Sequence, residues 1–183
     1  MKAPKLLNNI TEYSNEYFSV DKKFIELYKD DLSLIKKYYT VTAKDFVVVI
    51  VQNEDMILCT KQFRLAANKE SQEFIGGFID EGESSEEAAK RETLEESGYK
   101  LNKLYLLGKI SPMISKCTNT GYVYFSDDFS FEGKQLEEFE QYVGLTSTWA
   151  KIRDIRKNIL NGDIADATTL AAWTLYRETI RYA

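Results

Sequence analysis

The chain has 183 residues, 44% hydrophobic and 29% charged, which suits one soluble globular domain with its own core and excludes a disordered polar chain. Its net charge is −5, from 29 acidic and 24 basic side chains, so it has no general attraction for a nucleic-acid backbone; an anionic substrate must be met by particular Arg or Lys residues, backbone amides or a bound cation. Histidine is absent, which excludes a histidine base, a Ser-His or Cys-His nucleophile and histidine-ligated zinc, and leaves acid–base and metal chemistry to carboxylates.

Residues 1–17, MKAPKLLNNITEYSNEY, hold no apolar stretch of signal-peptide length. No apolar run approaches the ~20 residues that span a bilayer. The expectation is a cytoplasmic protein with no membrane partner. Cys59 and Cys117 match no zinc spacing and read as two reduced thiols. Residues 17–20, 24–28 and 33–40 read as short strands, with a turn at Lys29-Asp30-Asp31. The run FVVVIV at 46–51 is the pattern of a strand buried on both faces. After the turn signal Asn53-Glu54-Asp55, residues 56–63 read as the returning strand. Residues 74–79 form another, closed by a tight turn at Asp80-Glu81-Gly82.

The clearest helix follows. Ser84 is placed to cap it, Glu87 completes a capping box, and Gly98 supplies a C-terminal stop, which predicts a helix over 85–97. Residues 104–110 and 122–125 read as strands, with Pro112 shaping the loop between them. An acidic segment covers 127–140, residues 142–143 look strand-like, and 149–160 reads as a helix. Asp166 caps a last helix from Ala167 to about Arg181. Strands and helices mix without strict alternation, so the fold class is α/β, layered around a mixed sheet.

On the 85–97 helix, Glu92, Glu95 and Glu96 share one side with Ala88 and Ala89. Like charges three and four residues apart repel. Glu95 and Glu96 also occupy the last turn, where the helix dipole disfavours negative charge. Broken local rules tend to mark function, and a hard divalent cation reverses both penalties while the alanines leave it room. Taken alone, such a helix also fits a solvated acidic surface.

The wider segment 77–99, GFIDEGESSEEAAKRETLEESGY, resembles the signature of the Nudix hydrolase family. Gly77, Glu83, Arg91, Glu92, Glu95, Glu96 and Gly98 fall in register, Tyr99 suits the final apolar position, and Thr93 departs from the usual aliphatic residue. The resemblance implies metal ligation by Glu92, Glu95 and Glu96. It also implies a structural ion pair between Glu83 and Arg91 that orients the helix, with Gly77 and Gly98 as structural positions. The flanks are similar to the ADP-ribose pyrophosphatase and nucleoside diphosphate sugar hydrolase subgroup. Gln62-Phe63-Arg64 implies Arg64 as a phosphate clamp, whose planar donor fork suits the task. Glu73-Phe74-Ile75-Gly76-Gly77 implies a metal-facing Gly76 carbonyl and a nearby Glu73 carboxylate, with Ile75 and Gly76 departing from that subgroup's Pro and Ala. Ser111, Pro112 and Met113 correspond to its substrate loop, and 162–167 to the approach to its last helix.

In that subgroup a glutamate on a mobile loop beyond the signature positions or deprotonates the attacking water. The segment 136–140 stands at that place, with Glu138 as the expected base and Glu140 as an added metal-side carboxylate. Glu92, Glu95 and Glu138 are thus the candidate catalytic residues. The resemblance, which covers roughly 17–180, implies an α/β/α sandwich over 43–183, preceded by a small N-terminal β element over 1–42 that pairs two subunits into a homodimer. The cofactor is Mg²⁺, with Mn²⁺ as the alternative ion. The substrate is ADP-ribose or a related nucleoside diphosphate sugar, cut to a nucleoside monophosphate and a sugar phosphate. Two other readings stay open: hydrolysis of a dinucleoside polyphosphate or oxidised nucleoside triphosphate, and a non-catalytic nucleotide-binding module of the same fold.

Overall fold

The computed structural model describes residues 2–134 and 136–181. The chain forms two compact units, Met1–Lys44 with Ser111–Thr120, and Asp45–Ile110 with Gly121–Ala183.

The first unit is an antiparallel sheet of β1 (Lys5–Ser14), β2 (Phe18–Lys29) and β3 (Leu32–Ala43), in that order. The expected turn between the second and third strands is present, with Asp30 at φ 52°. Asp21 is buried on this sheet and accepts the hydroxyls of Thr11 (2.6 Å) and Thr42 (3.0 Å), which hold its carboxyl below the usual range. Segment 111–120 docks on β3 through Val41, whose N–H reaches Lys116 O (2.8 Å) and whose carbonyl takes the Thr118 N–H (3.0 Å). Many apolar side chains of this sheet stay exposed, among them Leu6, Ile10, Leu34 and Ile35.

The second unit is built on a seven-stranded mixed sheet. Its central path runs β12 (Thr146–Lys151), β5 (Met56–Arg64), β4 (Phe46–Asn53), β10 (Gly121–Ser126), β9 (Tyr105–Ile110); β6 (Lys69–Glu73) pairs with β5, and β7 (Ile75–Phe78) pairs with β4. The β4–β10 pair is parallel and the others antiparallel. A two-stranded ribbon joins β8 (Tyr99–Leu101) to β11 (Phe129–Phe131). Strand alternation sends Val47, Val49 and Val51 of β4 to one face, against Ala88 and Ala89 of α1 (Ser85–Ser97). Val48 and Ile50 point to the other, with Ile155 of α3 (Ile152–Asn161) and Ala172, Trp173 and Tyr176 of α4 (Ala167–Arg181). The apolar run at 46–51 is therefore buried on both faces because helices cover both. Each fully buried Val or Ile stabilises this arrangement by ~1.5–3 kcal/mol. Among the described residues no helix is long and apolar enough to cross a membrane.

Two expectations are corrected. Residues 149–160 do not form one helix. Thr146–Lys151 is a strand whose Trp149 stands opposite Leu58 of β5, and the helix begins at Ile152. Trp149 is held in that strand by edge-on packing against Tyr99 and a 3.0 Å hydrogen bond from Nε1 to the Tyr99 hydroxyl. Tyr142 and Val143 are not a strand: Tyr142 ends the short helix α2 (Glu138–Tyr142), and Val143 is its C-cap. The reciprocal Glu137–Glu140 capping box turns the chain into a helix there.

Candidate active site

The site begins with the end of β7 and the helix after it. The turn at 80–83 closes through Glu83 N–H to Asp80 O at 3.1 Å, with Gly82 at φ 83°. Ser84 Oγ then accepts the Glu87 N–H (3.2 Å), and Glu87 Oε2 accepts the Ser84 N–H (2.9 Å), the capping box expected from the sequence. Gly98 closes α1 in the left-handed region, φ 80°, where its N–H reaches Leu94 O. A side chain is excluded there twice: by the backbone angle, and because a Cβ would stand 2.8 Å from the Lys134 nitrogen.

Both ends of α1 being fixed, its glutamates have fixed directions. Glu92 and Glu96 point inward, with Glu96 only 4% exposed. The Glu92 carboxylate fills the space where a Cβ on Gly77 would stand. Glu96 accepts the N–H of Gly76, but its Oε2 is buried with no hydrogen-bond partner among the described residues. Glu140, from α2, completes a cluster: carboxylate oxygens of Glu92, Glu96 and Glu140 lie within 4.8 Å of one another. Burial, then the neighbouring carboxylates, raises Glu96 well above the ordinary carboxylate range. Burial likewise pushes Glu92 up to about 7, against the pull of Arg91, and raises Glu140.

Arg91 organises the other side of the helix. Its Nε and Nη2 grip both oxygens of Glu83 at 2.9 Å, and Nη2 also reaches Phe78 O. Nη1 bridges Glu92 Oε1 (2.8 Å) and Glu95 Oε2 (3.0 Å). The expected Glu83–Arg91 pair is thus present and extends to two of the candidate metal ligands. It holds the Glu83 carboxyl below its usual range. Glu95 lies on Arg91 rather than among the three clustered acids.

Arg64, at the end of β5, is fastened by Glu73 of β6: Nε donates to Oε1 at 2.9 Å and Nη2 to Oε2. The charges of Asp166 and Glu96 also act on its guanidinium. Asp166 caps α4 through the Thr169 N–H, 2.7 Å, as expected. Gly76 lies so close to β4 that a Cβ would meet Val47 O at 2.4 Å. Glu138, the first residue of α2, is exposed and stands outside the three-acid cluster. Ser111, Pro112 and Met113 belong to the unit of the N-terminal sheet, where Met113 O accepts the N–H groups of Lys116 and Cys117. Lys134, which the sequence reading did not single out, sends its charge toward both Glu96 and Glu140. Its only sequence signal is a lone cation within an acidic segment.

Buried, convergent carboxylates with an unsatisfied oxygen form a donor set for a hard cation, and hard cations take oxygen ligands. The NUDIX domain family model matches residues 42–172. The chain is 24% identical over 181 residues to the ADP compounds hydrolase NudE of Escherichia coli (strain K12), covering 99% of this chain and 95% of that one. It is 27% identical over 157 residues to the ADP-ribose pyrophosphatase of Bacillus subtilis (strain 168), covering 82% and 83%. A crystal structure of an ADP compounds hydrolase superposes with a TM-score of 0.83 at 23% identity, covering 99% and 96% of the two chains, which places this chain in the same fold.

Proposed function

The chain belongs to the NUDIX family of hydrolases, and on that premise we propose that it is a magnesium-dependent pyrophosphohydrolase of ADP-ribose or a related nucleoside diphosphate sugar. The products are a nucleoside monophosphate and a sugar phosphate. The names of the Escherichia coli and Bacillus subtilis relatives support the substrate class. The observation that carries the reading is the buried, unpartnered Oε2 of Glu96 within the Glu92–Glu96–Glu140 cluster. An orphaned buried carboxylate oxygen is costly unless a cation meets it.

Glu92, Glu95, Glu96, Glu140 and the Gly76 carbonyl would hold the ion. When bound, Mg²⁺ or Mn²⁺ supplies positive charge opposite the diphosphate and acidity to an attacking water. Arg91 keeps Glu92 and Glu95 oriented through its Nη1 bridge. Arg64, with Nε and Nη2 on Glu73, keeps Nη1 for a substrate phosphate. Glu138 takes the proton from the attacking water. A helical residue two positions from Glu140 projects about 200° away, so the first residues of α2 unwind to deliver Glu138 while Glu140 stays at the cluster. Having no buried residue, α2 has little to resist that motion.

The N-terminal sheet is, in this reading, the arm through which two copies of a cytoplasmic enzyme pair. Its exposed Leu6, Ile10, Leu34 and Ile35 are the support. Light scattering should give twice the 21.1 kDa chain mass; a monomer would remove that assignment.

The deciding experiment is a Mg²⁺ hydrolysis screen of ADP-ribose, other nucleotide sugars, dinucleotides and nucleoside triphosphates, beside Glu96→Gln. AMP release from ADP-ribose that vanishes in the variant supports both chemistry and substrate. Preference for another nucleotide keeps the chemistry and discards the substrate. No turnover of any of them rejects the enzyme reading.

A further inference from the structure

Helix α1 ends without a basic residue in its last turn, although Glu95 and Glu96 lie there. A cation reaches that end from the loop between β11 and α2. The loop is fastened to the α1 cap: the N–H groups of Glu132 and Gly133 both donate to Gly98 O, at 2.8 and 3.2 Å. The next residue is Lys134. Its Nζ donates to the carbonyl of Leu145 at 3.3 Å, and the Leu145 N–H in turn donates to Glu140 O at 2.9 Å. Lys134 is thus tied to both carriers of the acidic cluster, the end of α1 and the segment bearing Glu140.

Arg91 is already engaged by Glu83, Glu92 and Glu95. The two further cations near this cluster, Arg64 and Lys134, differ in their partners. Arg64 is neutralised by a two-point ion pair with Glu73. Lys134 makes no ion pair within 4.0 Å among the described residues, and its hydrogen bond goes to a neutral carbonyl. Glu96 and Glu140 feel its charge from beyond contact distance. An ammonium has three donors, and two of Lys134's remain. Were the carboxylates loaded with a divalent cation, Lys134 would face that ion as a like charge. Two cations held on either side of a gap are stable when an anion lies between them.

We propose that Lys134 is a substrate-binding residue whose ammonium takes an oxygen of the diphosphate held at the Glu92–Glu96–Glu140 cluster. This rests on the diphosphate-hydrolase reading given above and adds to it a phosphate ligand beside Arg64. Lys134 binds the anion directly, so its effect falls on substrate affinity and not on loading of the ion.

The test compares wild type, Lys134→Gln and Lys134→Arg. Binding of inorganic pyrophosphate in Mg²⁺ is measured by calorimetry, Mn²⁺ binding by electron paramagnetic resonance, and ADP-ribose hydrolysis by kinetics. Lys134→Gln should bind pyrophosphate about tenfold more weakly, as loss of a charge-assisted hydrogen bond predicts. The KM for ADP-ribose should rise by a similar factor with kcat little changed. Mn²⁺ affinity should stay equal or increase, because a repelling charge has gone, and Lys134→Arg should recover most of the loss. Unchanged pyrophosphate binding in Lys134→Gln, or Mn²⁺ and pyrophosphate weakening together, overturns the proposal while a hydrolysing wild type leaves the enzyme reading intact. A wild type that neither binds pyrophosphate nor cleaves any diphosphate overturns both.

Discussion

The carboxylate of Glu92 occupies the space in which a side chain on Gly77 would have to begin: a Cβ there would stand 2.1 Å from Oε1. Gly77 does not have the left-handed φ that favours glycine, so its backbone accepts other residues, and the constraint is this approach alone. Gly77→Ala should therefore leave the strand in place and displace Glu92. The expected outcome is Mn²⁺ binding weaker by at least about tenfold and a fold that is less stable by ~1–3 kcal/mol. Resonance titration and chemical denaturation measure the two. Unchanged metal affinity would mean that Glu92 is not a ligand.

The pH dependence of the metal-free protein follows from the buried acids. Burial raises Glu92 to about 7 from 4.5, and raises Glu96 and Glu140 in the same direction. Between these values the folded state holds protons that the unfolded state has released, so stability falls as pH rises. The Glu92 contribution is fully present below pH 4.5 and lost as pH rises through about 7. It is on the order of 3 kcal/mol. Melting temperature in chelator should accordingly decline from pH 5 to pH 8 more steeply in wild type than in Glu92→Gln. Parallel curves would contradict the burial argument.

Adding Mg²⁺ at pH 8 should reverse that decline, because a ligand that binds only the folded state stabilises it. The gain is ~2.7 kcal/mol at a hundredfold excess over Kd. Glu96→Gln, which removes one charge of the cluster and occupies the orphaned oxygen position with an amide, should show a far smaller shift in the same thermal scan.

Arg91→Lys keeps the charge and loses the planar fork that serves Glu83, Glu92, Glu95 and Phe78 O together. Denaturation should show a loss of ~2 kcal/mol, modest because the guanidinium is partly open to solvent. Mn²⁺ affinity should fall as well. Ser84→Ala, in contrast, removes only a cap and should cost ~1 kcal/mol with kcat unchanged. The pair separates the helix as scaffold from the helix as ligand carrier.

The parts of the fold legible in the sequence were those whose cause is local. The Ser84–Glu87 box and Gly98 sit within one helix length of each other, and α1 runs over the expected residues. The continuous run in β4 needs only burial on both faces to be read. Strand β1 is not legible because all ten of its residues are exposed, so it has no apolar alternation. The strand at Trp149 is not legible because its conformation is fixed by Tyr99, fifty residues away. At the site, spacing on one helix points to Glu92, Glu95 and Glu96, of which Glu92 and Glu96 enter the three-acid cluster while Glu95 lies on Arg91, and family resemblance points to Glu83 with Arg91. The bridge from Arg91 to Glu92 and Glu95 depends on rotamers that spacing does not specify. Lys134 is brought to the cluster by loop closure on Gly98, and no pattern within its own segment announces it.

The exposure of β1 has a colloidal consequence. It is an edge strand, ten residues long, and an unpaired edge is a template for any other strand that meets it. Pro4 ahead of the strand and the charges of Lys5 and Glu12 on it are deterrents to indiscriminate pairing, while Leu6, Leu7 and Ile10 invite it. The strand proposed to take part in joining two copies would thereby also set how concentrated the protein can become. Variants that spoil ordered pairing of this edge without removing it should leave solution as aggregates sooner than they persist as single chains.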